Sequence, residues 1–168
     1  MANTTIPLGK VMHLCSCPRA YLPMRYFESL TLTKDRGIEG DRYATGAGYY
    51  SDRPEAGRQV TLFEIETLEL LKRDHGIVLE PHEHRRNITV RGVALNDLVG
   101  KTFWVGQALL QATRLSTPCK HLEELTGKQV FTPLINRAGL NCQIIHSGLV
   151  QVGDALRLDV SNDVHGQP

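Results

Sequence analysis

The stretch TFWVGQALLQATRL, residues 102–115, decides how this chain is read. Two strand-like runs flank Gly106-Gln107, a two-residue connection of the kind that joins hairpin strands. LVQVGDALRLDV, residues 149–160, echoes it with Gly153-Asp154 at the same place and predicts a second hairpin. The two segments resemble each other only locally, and no period marks a repeat protein. RNITVRGV (86–93) and LNCQIIHSG (140–148) read as further strands. Short strands with frequent glycine turns and two modest helices predict a mainly β chain, a closed or nearly closed β-barrel with peripheral helices. The tail SNDVHGQP (161–168) has nothing to bury and is expected to fray.

The clearest helix signal is VTLFEIETLELLKRDHG, residues 60–76. Leu62, Ile65, Leu68 and Leu71 make an apolar stripe at helical spacing. Thr61 and Glu64 read as a capping box, with Val60 and Ile65 as its hydrophobic staple. Lys72, Arg73 and His75 suit the C-terminal end, and Gly76 suits the stop.

A length of 168 residues fits one domain, long enough to bury a core without staples. Nineteen basic against 18 acidic residues leave a net charge of +1, which argues against a nucleic-acid binder relying on bulk electrostatics. The opening MANTTIPLGK lacks a signal-peptide core, and no later run is long enough to span a bilayer. The chain therefore reads as cytoplasmic, with Cys15, Cys17, Cys119 and Cys142 as thiols and not disulfides.

RLSTPCKHLEELTG (114–127) places Cys119 where a strand hands over to a helix. Thr117 reads as the cap and Pro118 as the first helical residue, which sets Cys119 in the first turn. A thiol at a helix start beside Lys120 and His121 is held toward thiolate, the form that binds metals or attacks electrophiles. Free cysteine is also among the most buried residue types, so two readings stand for Cys119: functional thiol or apolar filler. Cys142, centred in a strand, reads as filler, and Cys15 and Cys17 stay open. A zinc site from Cys15, Cys17, Cys119 and His121 has spacings unlike structural zinc knuckles. A cysteine hydrolase would need His121 as base, but i+2 on a helix points away from Cys119. His82 and His84 lack a second pair of ligands.

Two basic segments complete the candidates. In KDRGIEGDRYATGAGYYSDRPEAGRQVTL (34–62), glycine turns offer an anion nest, Arg42 and Arg58 stand as a phosphate clamp, and Tyr43, Tyr49 and Tyr50 as walls for an aromatic ligand. In HEHRRNITVRG (82–92), Arg85, Arg86 and Arg91 concentrate positive charge. On a strand, Asn87, Thr89 and Arg91 share one face and would line one pocket.

GIEGDRY, GRQVTL, RRNITVRGVALNDLVG, TPCKHLEELTG and GLVQVGDAL occur in this order and resemble the MOSC domain, named from the C-terminal part of molybdenum cofactor sulfurases. The likeness runs from about Val11 to Leu158, so the chain resembles a stand-alone bacterial member. It implies a β-barrel that binds the molybdenum cofactor, molybdopterin carrying the metal, with Cys119 as the metal ligand. It carries the family's basic positions onto Arg42, onto Arg86 and Asn87, and onto Arg137, where NRAGL has Ala138 in place of a common glycine. Arg58, Thr89 and Arg91 stand beside these as helpers in holding the cofactor. Pyridoxal phosphate is not expected. The implied activity is reduction of N-hydroxylated compounds, such as hydroxylamines or N-hydroxylated base analogues. No flavin fingerprint or iron–sulfur cysteine run is visible, so the expected partners are a small-molecule substrate and an external electron-donor protein. No nucleic-acid or membrane partner is expected. The alternative is a carrier of the cofactor, or of persulfide sulfur on Cys119, without redox catalysis of its own.

Overall fold

The computed structural model describes residues 6–159, so the tail expected to fray lies outside the described residues. Strands β1 (Ile6–Ser16), β2 (Arg25–Phe27), β3 (Ser29–Thr33) and β4 (Gly37–Ile38) precede a short helix α1 (Arg42–Thr45). Strand β5 (Val60–Glu64) leads directly into helix α2 (Ile65–His75), followed by β6 (Ile88–Arg91), β7 (Thr102–Val105) and β8 (Ala108–Leu115). Helix α3 (Lys120–Thr126) comes next, and β9 (Leu140–His146), β10 (Gly148–Gln151) and β11 (Ala155–Leu158) complete the described chain.

The main sheet runs β11-β7-β8-β9-β5-β6-β1-β2, and β11 also pairs with β1. That extra pairing, Ile6↔Leu158 through Lys10↔Ala155, closes seven strands into a barrel, as the turn-rich strand pattern predicted. Inside are Leu14, Leu62, Ile88, Phe103, Leu110 and Leu140, all fully buried. A second sheet, β10-β3-β4, packs Leu30, Leu32, Ile38 and Val150 onto the same core. Because side chains alternate along a strand, Leu62 on β5 enters the barrel while Phe63 turns outward. Phe63 joins Leu68 and Leu71 of α2, Leu122 of α3, and Leu134 in a smaller apolar cluster. Both helices are thereby anchored on the outer side of β5. Among the described residues, no helix is long and apolar enough to cross a membrane.

The first hairpin is as read: Val105 pairs with Ala108 across Gly106-Gln107. The second is not. β10 joins β3, whereas β11 joins β7 and β1. The Gly153-Asp154 turn is real, with the Asp154 carboxylate accepting from the Gln151 amide at 2.7 Å. Its backbone, however, is captured elsewhere. Val11 exchanges two hydrogen bonds with this turn (Val11 N to Asp154 O, Gly153 N to Val11 O), and Val152 N donates to Glu28 O. The strands therefore diverge into two sheets.

The capping box is also corrected. Thr61 lies inside β5, paired with β6 on one side and β9 on the other, and α2 begins only at Ile65. Glu64 is the N-cap without a side-chain capping bond, while Gly76 ends the helix in the left-handed region as read.

One tight approach fixes the barrel near its site. Gly139, just before β9, has φ +108, and a Cβ there would sit 2.2 Å from the Leu62 carbonyl oxygen. Both the dihedral and the contact exclude a side chain. Gly139→Ala is expected to destabilise the protein by about 2 kcal/mol or more, from left-handed strain plus backbone displacement. A chemical denaturation midpoint unchanged from wild type would refute this.

Candidate functional site

A cavity of about 250 Å³ opens where α1, the 49–58 loop, the β8–α3 junction and the segment before β6 converge. Cys119 borders it, and Arg42, Arg53, Arg58, Arg85, Arg86 and Arg114 line it, with no carboxylate among its described lining residues. Such a surround selects an anion.

Cys119 reaches the cavity through a cap. It is itself the N-cap of α3, with extended dihedrals (φ −133°, ψ 133°), and its Sγ accepts a hydrogen bond from the His121 amide at 3.2 Å. This corrects the reading of Thr117 as cap and Pro118 as first helical residue: the sulfur takes the acceptor role usually filled by serine or aspartate. Tyr50 lies against the same sulfur, its hydroxyl within hydrogen-bond reach of Sγ. Burial, then this contact, push the Tyr50 phenol well above its ordinary pKa. Cys119 is only partly buried, unlike the three other thiols, so the filler reading fits it poorly.

Each arginine is held differently. Arg42, fully buried, pairs with Asp41 at 3.0 Å and donates to the Arg85 carbonyl. Asp41 in turn accepts from Ser16 at 2.9 Å. Arg58 and Arg114 share one carboxylate at the rim, Glu55, whose pKa the Arg114 guanidinium holds down against the effect of burial. The Arg58 guanidinium lies 4.9 Å over the Tyr50 ring. Arg85 sits in the left-handed region (φ 70°), its guanidinium donating to Leu22 O and toward Cys17 Sγ. Arg86 donates Nε to the Ala138 carbonyl at 3.1 Å and has no carboxylate partner among the described residues. Burial brings its pKa down to about 10, despite some opposing help from Tyr43. A desolvated cation without a counterion is costly unless a ligand supplies one.

Aromatic rings form the remaining walls. Tyr49 stacks on His121 with centroids 3.7 Å apart and planes within 13°. His84 stacks on Phe63 at 4.2 Å. The His84 ring is fixed as well as buried: Nδ1 accepts from the Arg86 amide, so Nε2 carries the proton and donates to Thr89 at 2.8 Å. Desolvation holds His84 far below its usual pKa, and it remains neutral.

The structure thus brings Cys119, Arg42, Arg58 and Arg86 together around one cavity. It places four other residues apart. Asn87 is buried away from the cavity, where its side-chain oxygen accepts from Thr61 N and Oγ1 and its amide donates to Cys15 O and Asp41. It therefore positions Asp41, and through it Arg42. Thr89 is buried against His84. Arg91, read as sharing a pocket face with both, is exposed and pairs with Glu69 of α2 at 2.5 Å. The strand alternation holds, but the three meet different neighbours: Asn87 meets the Cys15 carbonyl and Asp41, Thr89 the His84 ring, and Arg91 Glu69 of α2. Arg137 is exposed and lies outside the cavity lining. Cys15 and Cys17 pack with Met24 in a separate sulfur cluster, which excludes the mixed zinc site with Cys119. No group of three or more His, Cys, Asp or Glu residues able to hold a metal is present among the described residues. Arg53 and Arg114 were missed. Only the five-residue distance of Arg114 from Cys119 hinted at it.

Fold and site together define a small β-barrel protein with a cationic cavity beside one accessible thiol. The sequence profile of the MOSC domain matches residues 23–157, and the chain belongs to that family. No curated protein matches the chain significantly. Among solved structures, the YuaD protein from Bacillus subtilis is similar at 18% identity and a TM-score of 0.75, over 89% of this chain and 94% of that one. YiiM from Geobacillus stearothermophilus is similar at 13% identity and a TM-score of 0.64, over 92% and 75%. YiiM from Escherichia coli is similar at 18% identity and a TM-score of 0.65, over 89% and 69%. At these identities the likeness speaks for the fold. Family membership carries a general association with molybdenum cofactor binding.

Proposed function

We propose that the cavity binds the molybdenum cofactor and that the protein reduces N-hydroxylated compounds with electrons from a partner protein. The observation that carries this reading is a cavity lined by one partly exposed thiol and six arginines, with no carboxylate among its described lining residues. The donor set fits the group: a sulfur ligand suits a thiophilic metal, and guanidiniums suit a phosphorylated pterin. Arg86, desolvated and lacking an internal counterion, is the residue most in need of that anion.

When bound, the cofactor supplies two-electron chemistry at molybdenum, and the net reaction takes an N–OH group, two electrons and two protons to an N–H group and water. The chain's own residues do the rest. Cys119 holds the metal through Sγ, and the His121 amide and Tyr50 hydroxyl orient that sulfur. Arg42 and Arg86 hold the anionic end, with Arg85 beside them. Tyr49 and His121 shield the thiol from one side. No second redox centre is evident in the sequence, which is why a partner donor belongs to the proposal.

Purified protein should contain molybdenum and, with a small artificial donor, should reduce an N-hydroxy compound. Molybdenum without turnover would favour the carrier reading. Absence of molybdenum from protein made in cells competent for cofactor synthesis would refute the reductase and the cofactor carrier, leaving only a persulfide carrier on Cys119.

A further inference from the structure

Two carboxylates touch the arginines of the cavity, and they are held in opposite ways. Asp41 is fully buried and fixed on several sides: Ser16 Oγ donates to it at 2.9 Å, the Tyr43 amide at 3.1 Å, Asn87 Nδ2 at 3.4 Å and Arg42 at 3.0 Å. It is a permanent counterion. Glu55 stands at the rim with its side chain 36% exposed, and among the described residues that side chain bonds only to guanidiniums. Arg114 grips it with a fork, Nε to Oε2 at 3.0 Å and Nη2 to Oε1 at 2.8 Å, and Arg58 Nη2 reaches Oε1 at 3.0 Å. Arg58 and Arg114 line the cavity, whereas Glu55 does not. Neither arginine depends on Glu55 alone for its place. Arg58 donates Nε to the Arg53 carbonyl and lies over the Tyr50 ring, and Arg114 donates Nη1 to the Leu115 carbonyl.

A guanidinium fork that holds a carboxylate also matches two oxygens of a phosphoryl group, so the two anions compete for it. An ion pair this exposed resists exchange only weakly. Two guanidiniums against one carboxylate also leave a positive charge unmet, which a doubly charged group satisfies and a single carboxylate does not. We infer that Glu55 is an exchangeable counterion, a clasp that occupies Arg58 and Arg114 until the phosphoryl group of an incoming ligand displaces it. The contact is self-inhibitory: it weakens anion binding at the rim by the work of moving Glu55 aside. Asp41, fixed by its other donors, has no such freedom. As a control on cofactor retention, the clasp rests on the function proposed above. As a control on anion binding, it does not.

The test titrates inorganic pyrophosphate into the full chain, made in cells unable to synthesise the cofactor, and reads affinity by calorimetry. Glu55→Gln keeps the shape and removes the charge, and is expected to bind about five-fold more tightly than wild type, the upper end of what an exposed ion pair resists. Glu55→Ala also removes the amide's residual contacts and should gain at least as much. Asp52→Asn controls for bulk charge. It removes an equal charge from an exposed side chain nearby that enters no ion pair among the described residues. At about 0.15 M salt, where distant charges are screened, it should stay within about two-fold of wild type. Unchanged or weaker binding in both Glu55 variants would make Glu55 a brace for the two arginines and overturn the clasp. An equal gain in Asp52→Asn, or no binding by any of the proteins, would overturn it too. Molybdenum content of the wild type from cells competent for cofactor synthesis reports the other reading separately. The expected affinities without molybdenum would leave the clasp standing while the cofactor reading fell, and molybdenum with unchanged affinities would do the reverse.

Discussion

Cys119→Ser is expected to abolish molybdenum retention while leaving stability within about 0.5 kcal/mol of wild type. The two effects separate because Sγ does two jobs. As N-cap of α3 it accepts from the His121 amide, and a serine hydroxyl performs that task at least as well. As the proposed metal ligand it contributes a soft donor, which a hydroxyl does not replace. Cys119→Ala removes both and should additionally lose about 1 kcal/mol of stability, the usual loss on truncating a helix cap. Elemental analysis and thermal unfolding of the two variants check this. A serine variant with wild-type molybdenum content would remove Cys119 from the cofactor's ligands, whatever its stability.

Arg86→Leu is expected to weaken cofactor retention by about 30-fold or more while raising, or at least not lowering, the stability of the cofactor-free protein. Losing one partner of a buried charge pair costs about 2–5 kcal/mol, and 2 kcal/mol corresponds to roughly 30-fold. Without ligand the same guanidinium is a liability. Its pKa is brought down by burial, and only one hydrogen bond, to a backbone carbonyl, engages its side chain among the described residues. Exchange for an apolar side chain removes that cost. Cofactor release on dilution and the melting temperature of the apoprotein report the two halves. A variant that loses apoprotein stability and keeps the cofactor would show Arg86 to be structural.

Local signals were legible in this sequence where local physics decides the outcome. The β7–β8 hairpin follows from a two-residue turn between strand-like runs, and the structure keeps it. The 149–160 segment carries the same signature, yet β1 and Glu28 capture its turn from far along the chain. Cys119 was readable as a thiol at a helix start, but its role as the cap was not, because sulfur is an uncommon acceptor there. Arg42, Arg58 and Arg86 stood out beside turns and in a basic run. Arg114 did not, since Glu55, fifty-nine residues away, is what ties it to the cavity rim. Asn87, Thr89 and Arg91 failed as a common pocket face for a different reason. Alternation tells which residues point together, and only tertiary packing tells what covers them.

The pairing of β1 with β11 has a further consequence for how the protein comes into being. The strand opening the described chain finds its closing neighbour only in the last one, so the barrel's interior has an open seam until the whole domain has left the ribosome. Leu156 on that final strand is fully buried in the finished core. Closure of the barrel therefore waits for that last strand, is governed by contacts of very long sequence separation, and is slow for a chain of this size. During that interval the exposed edges of β1 and β7 are where a chaperone, or a second nascent chain, has its opportunity.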